Sequence, residues 1–350
     1  MNKMIKIEDK FIGLTSEPFI IAEMSGNHNQ SLDRALEIVR EIALSGAHAL
    51  KIQTYTPDTM TLKSGQAEFF INDSKSLWNG KFLYDLYAEG QTPWEWHKPI
   101  FDYAKKLGLI AFSTPFDSTS VDFLEGLNVP CYKIASFENV DLALIAKVAK
   151  TGKPIIISTG MASLSELYDI VTTAKAAGCN DIILLKCTST YPAEPINSNL
   201  LTIPHLKELF NCEVGLSDHT MGVGVSVASV ALGATVIEKH FTLNRADGGV
   251  DSAFSMEPNE MAQLVVEARK AWQSLGKISY GPTLAELPSL QFRRSIYVIE
   301  DIASGDLLTM NNIGIIRPGL GLPPKYLDIV LGKVAKSDLP RGTALNWEHI

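Results

Sequence analysis

The chain has 350 residues, 31 basic against 39 acidic side chains, a formal charge of −8, and 46% hydrophobic against 20% charged residues. At about 100 to 200 residues per domain, that length predicts one large domain or two unequal ones, and the composition excludes a stapled miniprotein or a disordered chain. Without a Lys/Arg run, an apolar stretch of signal-peptide length or about 18 consecutive apolar residues, neither nucleic acid nor a membrane is an expected partner, and the expected location is cytoplasmic.

In chain order, eight short β-rich runs end in polar residues: FIIAEMS (19–25), HALKIQTY (48–55), LIAFSTPF (109–116), CYKIAS (131–136), PIIISTG (154–160), IILLKCT (182–188), EVGLSDH (213–219) and TVIEKHF (235–241). Stretches with 3.6-residue apolar spacing separate them, such as SLDRALEIVREIALSG and SLSELYDIVTTAKAAG, several ending in Gly before the next strand. Eight such alternations predict an α/β fold, a closed (β/α)8 TIM barrel rather than an open sheet. No GxGxxG follows the first strand, which removes the usual mark of an open dinucleotide-binding sheet.

The connection over 56–100 is too long for an ordinary loop, and its aromatics argue for ordered structure over the barrel mouth. A packed surface excursion is the competing reading. After the eighth strand, NEMAQLVVEARKAWQSLG reads as the closing helix. The expected organisation is a barrel over 1–275, a breaker-rich linker over 276–290 and a small domain over 291–350, too small to be more than marginally stable alone.

Residues at the C-terminal ends of barrel strands reach the active site. Those ends supply Glu23, Asn27 and His28; Lys51 and Gln53; Ser113 and Thr114; Lys133 and Ser136; Ser158 and Thr159; Lys186, Thr188 and Ser189; Ser217, Asp218 and His219; and Glu238 and His240. Alternation puts Lys51 with Gln53, Ser217 with His219, and Glu238 with His240 on shared faces. His219 and His240 end neighbouring strands, so their imidazoles can converge on one divalent cation, near Glu23. Lys51, Lys133 and Lys186, interleaved with Ser136, Ser158, Ser189 and Ser217, suit a cage for phosphate and carboxylate, with structural salt bridges as the plainer alternative. A Schiff-base lysine is a further possibility, against which the paired histidines argue. His28 is a lesser candidate beside Glu23, while His48, His97, His205 and His349 read as structural. The four cysteines lack a CxxC pair and read as buried thiols, with Cys187 at a strand end where a nucleophile could also sit.

Taken together, IAEMSGNHNQSLDRA, KIQTYTPD, STPFD, YKIAS, ISTGMAS, LKCTSTYP, VGLSDHT and ALGATVIEKHFT resemble the sialic acid synthase family, and IIRPGLGLPPKY with LGKVAKSDLPRG resembles its antifreeze-like (SAF) domain. The resemblance runs from about residue 17 to 350. It implies a TIM barrel with a SAF domain in a domain-swapped homodimer. It also implies condensation of phosphoenolpyruvate with an open-chain N-acyl amino sugar, assisted by Mn2+ or Mg2+. By the same resemblance, His219 and His240 hold the metal, and Glu23 and Lys51 join them in catalysis. Lys133, Ser136, Ser158, Ser189 and Ser217 hold the phosphate, while Lys51 and Thr114 hold the carboxylate. Gln53, Tyr191 and Asp251 line the sugar side, and Arg317 reaches it from the partner subunit.

Neuraminate-forming members often carry Asn in the segment corresponding to Ser189. The segment LWNGKFLYDLYAEGQTPWEWH and the SAFS after Asp251 are closer to the pseudaminate-forming branch, which uses a 2,4-diacetamido-2,4,6-trideoxy hexose. A legionaminate- or neuraminate-forming enzyme is the alternative within the family. Outside it stand a metal-dependent aldolase and, more remotely, a non-catalytic carbohydrate-binding protein.

Overall fold

Runs such as FIIAE, PIIIS and IILLKC are rich in β-branched residues, which favour extended backbone. In a computed structural model of the protein, describing residues 4–350, they form the strands of a closed barrel. A hairpin of β1 (Ile5–Ile7) and β2 (Lys10–Ile12) precedes it. The barrel strands are β3 (Phe19–Glu23), β4 (Ala49–Thr54), β5 (Ile110–Pro115), β6 (Tyr132–Ile134), β7 (Ile155–Ser158), β8 (Ile182–Cys187), β9 (Glu213–Ser217) and β10 (Val236–His240). All neighbours pair in parallel, and β10 closes on β3 with His240 opposite Glu23. The eight expected strands are all present.

The first helices are α1 (Leu32–Ser45), α2 (Pro57–Met60), α3 (Leu83–Gly90), α4 (Trp94–Lys106) and α5 (Ser118–Gly126). They are followed by α6 (Leu142–Ala149), α7 (Leu164–Ala176), α8 (Thr202–Phe210), α9 (Gly224–Ala231) and α10 (Pro258–Leu275). Local chemistry sets their ends: the Ser31 hydroxyl accepts from the Arg34 amide at the start of α1, and Gly46 stops that helix at φ 81°. Strand alternation then sorts the side chains. Ile20, Ala22, Leu50 and Ile52 face outward onto Ile38 and Ile42 of α1, Ile100 and Ala104 of α4, and Met261 and Leu264 of α10. The intervening Glu23, Lys51 and Gln53 therefore face inward.

The long connection is shorter than expected, because α4 begins at Trp94 and is the barrel helix leading back to β5. The excursion is 56–93, carrying α2 and α3. It is ordered and lies over the mouth: Trp78 Nε1 donates to the Val250 carbonyl at 2.8 Å, and Phe70 meets Phe82 edge-on at 5.0 Å.

The first compact unit ends at Gly276 and the second spans Lys277–Ile350. The second contains an antiparallel pair, β11 (Ser295–Val298) and β12 (Ile313–Ile316), and a one-turn α11 (Leu327–Val330) around Ile296, Val298, Leu308, Ile313 and Leu345. Among the described residues, no helix is long and apolar enough to cross a membrane.

Candidate active site

The floor of the barrel mouth is a buried network of two lysines and two glutamates. Strand register sets Glu23 opposite Lys51, and Lys51 Nζ lies 2.6 Å from Glu23 Oε1 and 3.7 Å from Glu238 Oε1. Lys133 Nζ lies 3.4 Å from the same Glu238 oxygen. Both lysines are only 2% exposed, a situation tolerated because each ammonium has carboxylate and hydroxyl partners. Lys51 donates to Thr114 Oγ1 at 3.2 Å and Lys133 to Ser158 Oγ at 2.7 Å; Ser217 Oγ donates to Glu238 at 3.2 Å. Gln53 Nε2 donates to Glu23 at 2.9 Å.

Burial alone would raise the Glu23 carboxyl, but the Lys51 ammonium, with His240 and Lys133, outweighs it and holds Glu23 well below the usual carboxylate range. Burial likewise disfavours the Lys51 ammonium, yet Glu23 and Glu238 hold its pKa above the ordinary value. For Lys133 burial wins and the pKa falls. Glu238 Oε2 is buried with no hydrogen-bond partner, so the floor has an unmet polar atom.

Beside the lysines, hydroxyls converge. A Cβ placed on Gly160 would sit 2.2 Å from Ser189 Oγ and 2.5 Å from Ser136 Oγ, so only glycine lets both meet there. Asn139 Nδ2 fixes this loop by donating to the Ser158 and Gly160 carbonyls at 3.1 and 3.2 Å.

Lys186 does not join the cage that its strand-end position suggested. Register sets Cys187 opposite inward-facing Ser217, so Lys186 takes the outer face and donates to the Cys187 carbonyl at 2.8 Å. Cys187 lines the cavity instead, its sulfur 4.0 Å from His219 Nδ1.

The His219 and His240 rings are 5.4 Å apart between centroids, flanked by Tyr191 and Phe254. His219 Nδ1 lies 2.9 Å from the Thr188 carbonyl and donates to it; burial disfavours the charged ring, but Cys187 and this carbonyl outweigh it and raise its pKa, so a cation at Nε2 would displace a proton. Burial outweighs the pull of Glu23 and lowers His240 to about 4, so its imidazole is neutral at pH 7, as a metal ligand must be. Its Nδ1 is buried without a partner, and Nε2 lies 3.4 Å from Glu23 Oε2. His219 Nε2 and one ring nitrogen of His240 together fit the ligand set of a divalent cation. Among the described residues no group of three or more His, Cys, Asp or Glu is arranged to hold a metal, so the two imidazoles leave coordination positions to other oxygens.

The cavity above this floor measures about 430 Å³. Glu23, Lys51, Lys133, Ser136, Ser158, Ser189, Ser217, His219 and His240 line its polar part, with Gln53, Tyr191 and Asp251 to one side; Met60, Ile71, Trp78, Leu83, Leu86 and Tyr87 form an apolar roof. Thr114 is reached through Lys51. Ser25 Oγ donates to Asp251, but burial prevails and raises that carboxyl to about 6.

The structure adds residues that sequence reasoning left out of the site. Glu238 stood at a strand end but was given no role. Glu138, raised by burial to about 7 and carrying an unpartnered oxygen, and Asn139 sit in the loop after β6, where no periodicity marks them. His28 is packed on Trp96 and accepts from the Gln30 amide, outside the cavity lining, and is a core histidine. His97 is held by Thr54 and the Pro93 carbonyl, and His48 accepts from the Ile20 amide. Arg317 is exposed in the second unit, directly after β12.

Residues 38–280 match the NeuB family and residues 293–350 match the SAF domain. The chain is 45% identical over 335 residues to a pseudaminic acid synthase of Helicobacter pylori, covering 95% of this chain and 98% of that protein. It is 37% identical over 338 residues to an N,N'-diacetyllegionaminic acid synthase of Legionella pneumophila, covering 95% of this chain and 94% of that one. Its structure superposes with a TM-score of 0.74 on an N-acetylneuraminic acid synthetase of Leptospira borgpetersenii crystallised with citrate, at 31% identity, covering 84% of this chain and 97% of the other. With the family match spanning most of its length and relatives this similar, the chain belongs to the NeuB family.

Proposed function

We propose that the protein is a pseudaminic acid synthase, condensing phosphoenolpyruvate with 2,4-diacetamido-2,4,6-trideoxy-L-altrose to give pseudaminic acid and phosphate. The observation that carries this reading is the pairing of Lys51 and Lys133 with a ring of hydroxyls in one buried cavity beside two convergent histidines. An anionic three-carbon substrate fits there: phosphate against Lys133, Ser136, Ser158, Ser189 and Ser217, carboxylate against Lys51 and Thr114. Identity of 45% to a pseudaminic acid synthase against 37% to a legionaminic acid synthase favours the altrose-configured sugar. The apolar roof suits its methyl groups.

His219 and His240 would hold Mn2+ or Mg2+, which when bound supplies Lewis-acid polarisation of the sugar aldehyde. Gln53, Tyr191 and Asp251 orient the sugar so that its aldehyde carbon faces C3 of phosphoenolpyruvate. C3 attacks that carbon, the aldehyde oxygen takes a proton from water to become a hydroxyl, and positive charge develops at C2. Glu23, ionised and facing the cavity, steadies that charge and takes a proton from the water that adds to C2. The tetrahedral carbon then expels phosphate with its bridging oxygen while its new hydroxyl passes its proton to the leaving phosphate, leaving the 2-keto acid. The apolar roof carried by the 56–93 excursion keeps other water out.

The active assembly in this reading is a cytoplasmic homodimer in which Arg317 of each SAF domain reaches the sugar in the partner's barrel. The chemistry is tested with phosphoenolpyruvate carrying 18O at the C2–O–P bridge. The label should leave in phosphate; label retained in the sugar acid would overturn the C–O cleavage route.

A further inference from the structure

Lys239 lies between Glu238 and His240 but faces the other way, its register partner Ala22 belonging to the outer side of the barrel. Its side chain is almost fully buried, 1% exposed, and its ammonium spends all three N–H groups on the β9–α9 turn: Asp218 Oδ2 at 3.0 Å, the Thr220 carbonyl at 2.6 Å and the Gly222 carbonyl at 3.1 Å. Asp218 holds the same turn from within. Its Oδ1 accepts from the Thr220 amide at 2.9 Å, its Oδ2 from Ser226 Oγ of α9 at 2.6 Å, and its own amide donates to the Glu238 carbonyl at 2.9 Å.

Asp218 immediately precedes His219, and Lys239 immediately precedes His240. One buried ion pair outside the cavity therefore joins the two segments that carry the two histidines, and the His219 loop is wrapped around an ammonium borne by the His240 strand. A buried pair of this kind contributes little net stability compared with apolar packing; here its bonds tie the β9–α9 turn to β10. Neither residue lines the cavity.

We infer that Asp218 and Lys239 are positioning residues that set the separation of His219 and His240, and so the affinity of the two-histidine site for a divalent cation. This rests on the metal reading of that site. Residues that orient ligands from behind typically govern metal affinity by about 10- to 100-fold.

The test uses full-length protein, wild type, Lys239→Met, and the double variant Asp218→Asn with Lys239→Met, which leaves no buried charge alone. Mn2+ binding is followed by the EPR signal of free Mn2+ and phosphoenolpyruvate binding by calorimetry, with circular dichroism to verify folding. The expected result for the double variant is Mn2+ binding weakened about tenfold or more, with phosphoenolpyruvate affinity within about threefold of wild type. Wild-type Mn2+ affinity in the folded double variant would overturn the positioning role while leaving the metal site intact. Equal loss of both ligands would also overturn it, showing general collapse of the barrel mouth. Absence of Mn2+ binding by the wild type would overturn the metal reading itself, and this inference with it. Should Lys239→Met fail to fold, Ser226→Ala, which removes one hydrogen bond to Asp218, supplies a milder form of the same comparison.

Discussion

Lys51 Nζ and Glu23 Oε1 are 2.6 Å apart on adjacent barrel strands, both buried, so each is the other's main compensation for lost water. Replacing Glu23 by Gln keeps the shape and leaves Lys51 its second carboxylate, Glu238. The expectation for Glu23→Gln is a folded protein with phosphoenolpyruvate affinity within a few-fold of wild type and turnover reduced by about 10²- to 10⁴-fold. Calorimetry and steady-state kinetics measure the two; near-normal turnover would remove Glu23 from the mechanism.

Gly160 makes the phosphate hydroxyls testable without touching a charged group. In Gly160→Ala the new methyl would collide with Ser189 Oγ and Ser136 Oγ, which must swing away. Loss of one or two charge-assisted hydrogen bonds, about 1.5–3 kcal/mol each, predicts a KM for phosphoenolpyruvate raised at least tenfold. The sugar KM should change little. An unchanged phosphoenolpyruvate KM would place the phosphate elsewhere.

The strand ends were legible because alternation and barrel topology together fix which residues reach the mouth, as for Glu23, Lys51 and Gln53. Lys186 was misread for a physical reason: β8 is apolar on both faces, as central parallel strands are, so its sequence does not say which face is inward. Glu138 and Asn139 lie in a loop with no period to read. The Cys187 to His219 approach joins residues 32 positions apart, and the Lys239 to Asp218 pair joins residues 21 apart, contacts that only the barrel creates.

Asp251 gives a pH signature. Burial raises its carboxyl from the ordinary 3.8 to about 6 in the folded protein, so ionising it costs stability on the order of 3 kcal/mol, absent below pH 4 and fully present above pH 6. Asp251→Asn removes that cost. Relative to wild type, its Tm should be higher at pH 8 and show little gain at pH 4. Thermal melts across this range check it; a variant that loses ground as pH rises would contradict the assignment.

Arg317 tests completion of the site between subunits. A Lys133→Ala protein and an Arg317→Ala protein should each be nearly inactive, and an equimolar, randomly reassorted mixture should recover at most about a quarter of wild-type activity, about half per heterodimer, if the SAF domain serves the partner's barrel. Verified heterodimers with no recovery would confine each site to its own chain.

Phosphate release from phosphoenolpyruvate, measured with Mn2+ and three sugars in parallel, addresses substrate identity most directly. The sugars are 2,4-diacetamido-2,4,6-trideoxy-L-altrose, the mannose-configured precursor of legionaminate, and N-acetylmannosamine. Release with the altrose sugar, and far less with the other two, is the predicted result. Preferred release with either of the others, or none with any from folded, metal-loaded protein, would contradict the pseudaminic acid synthase reading.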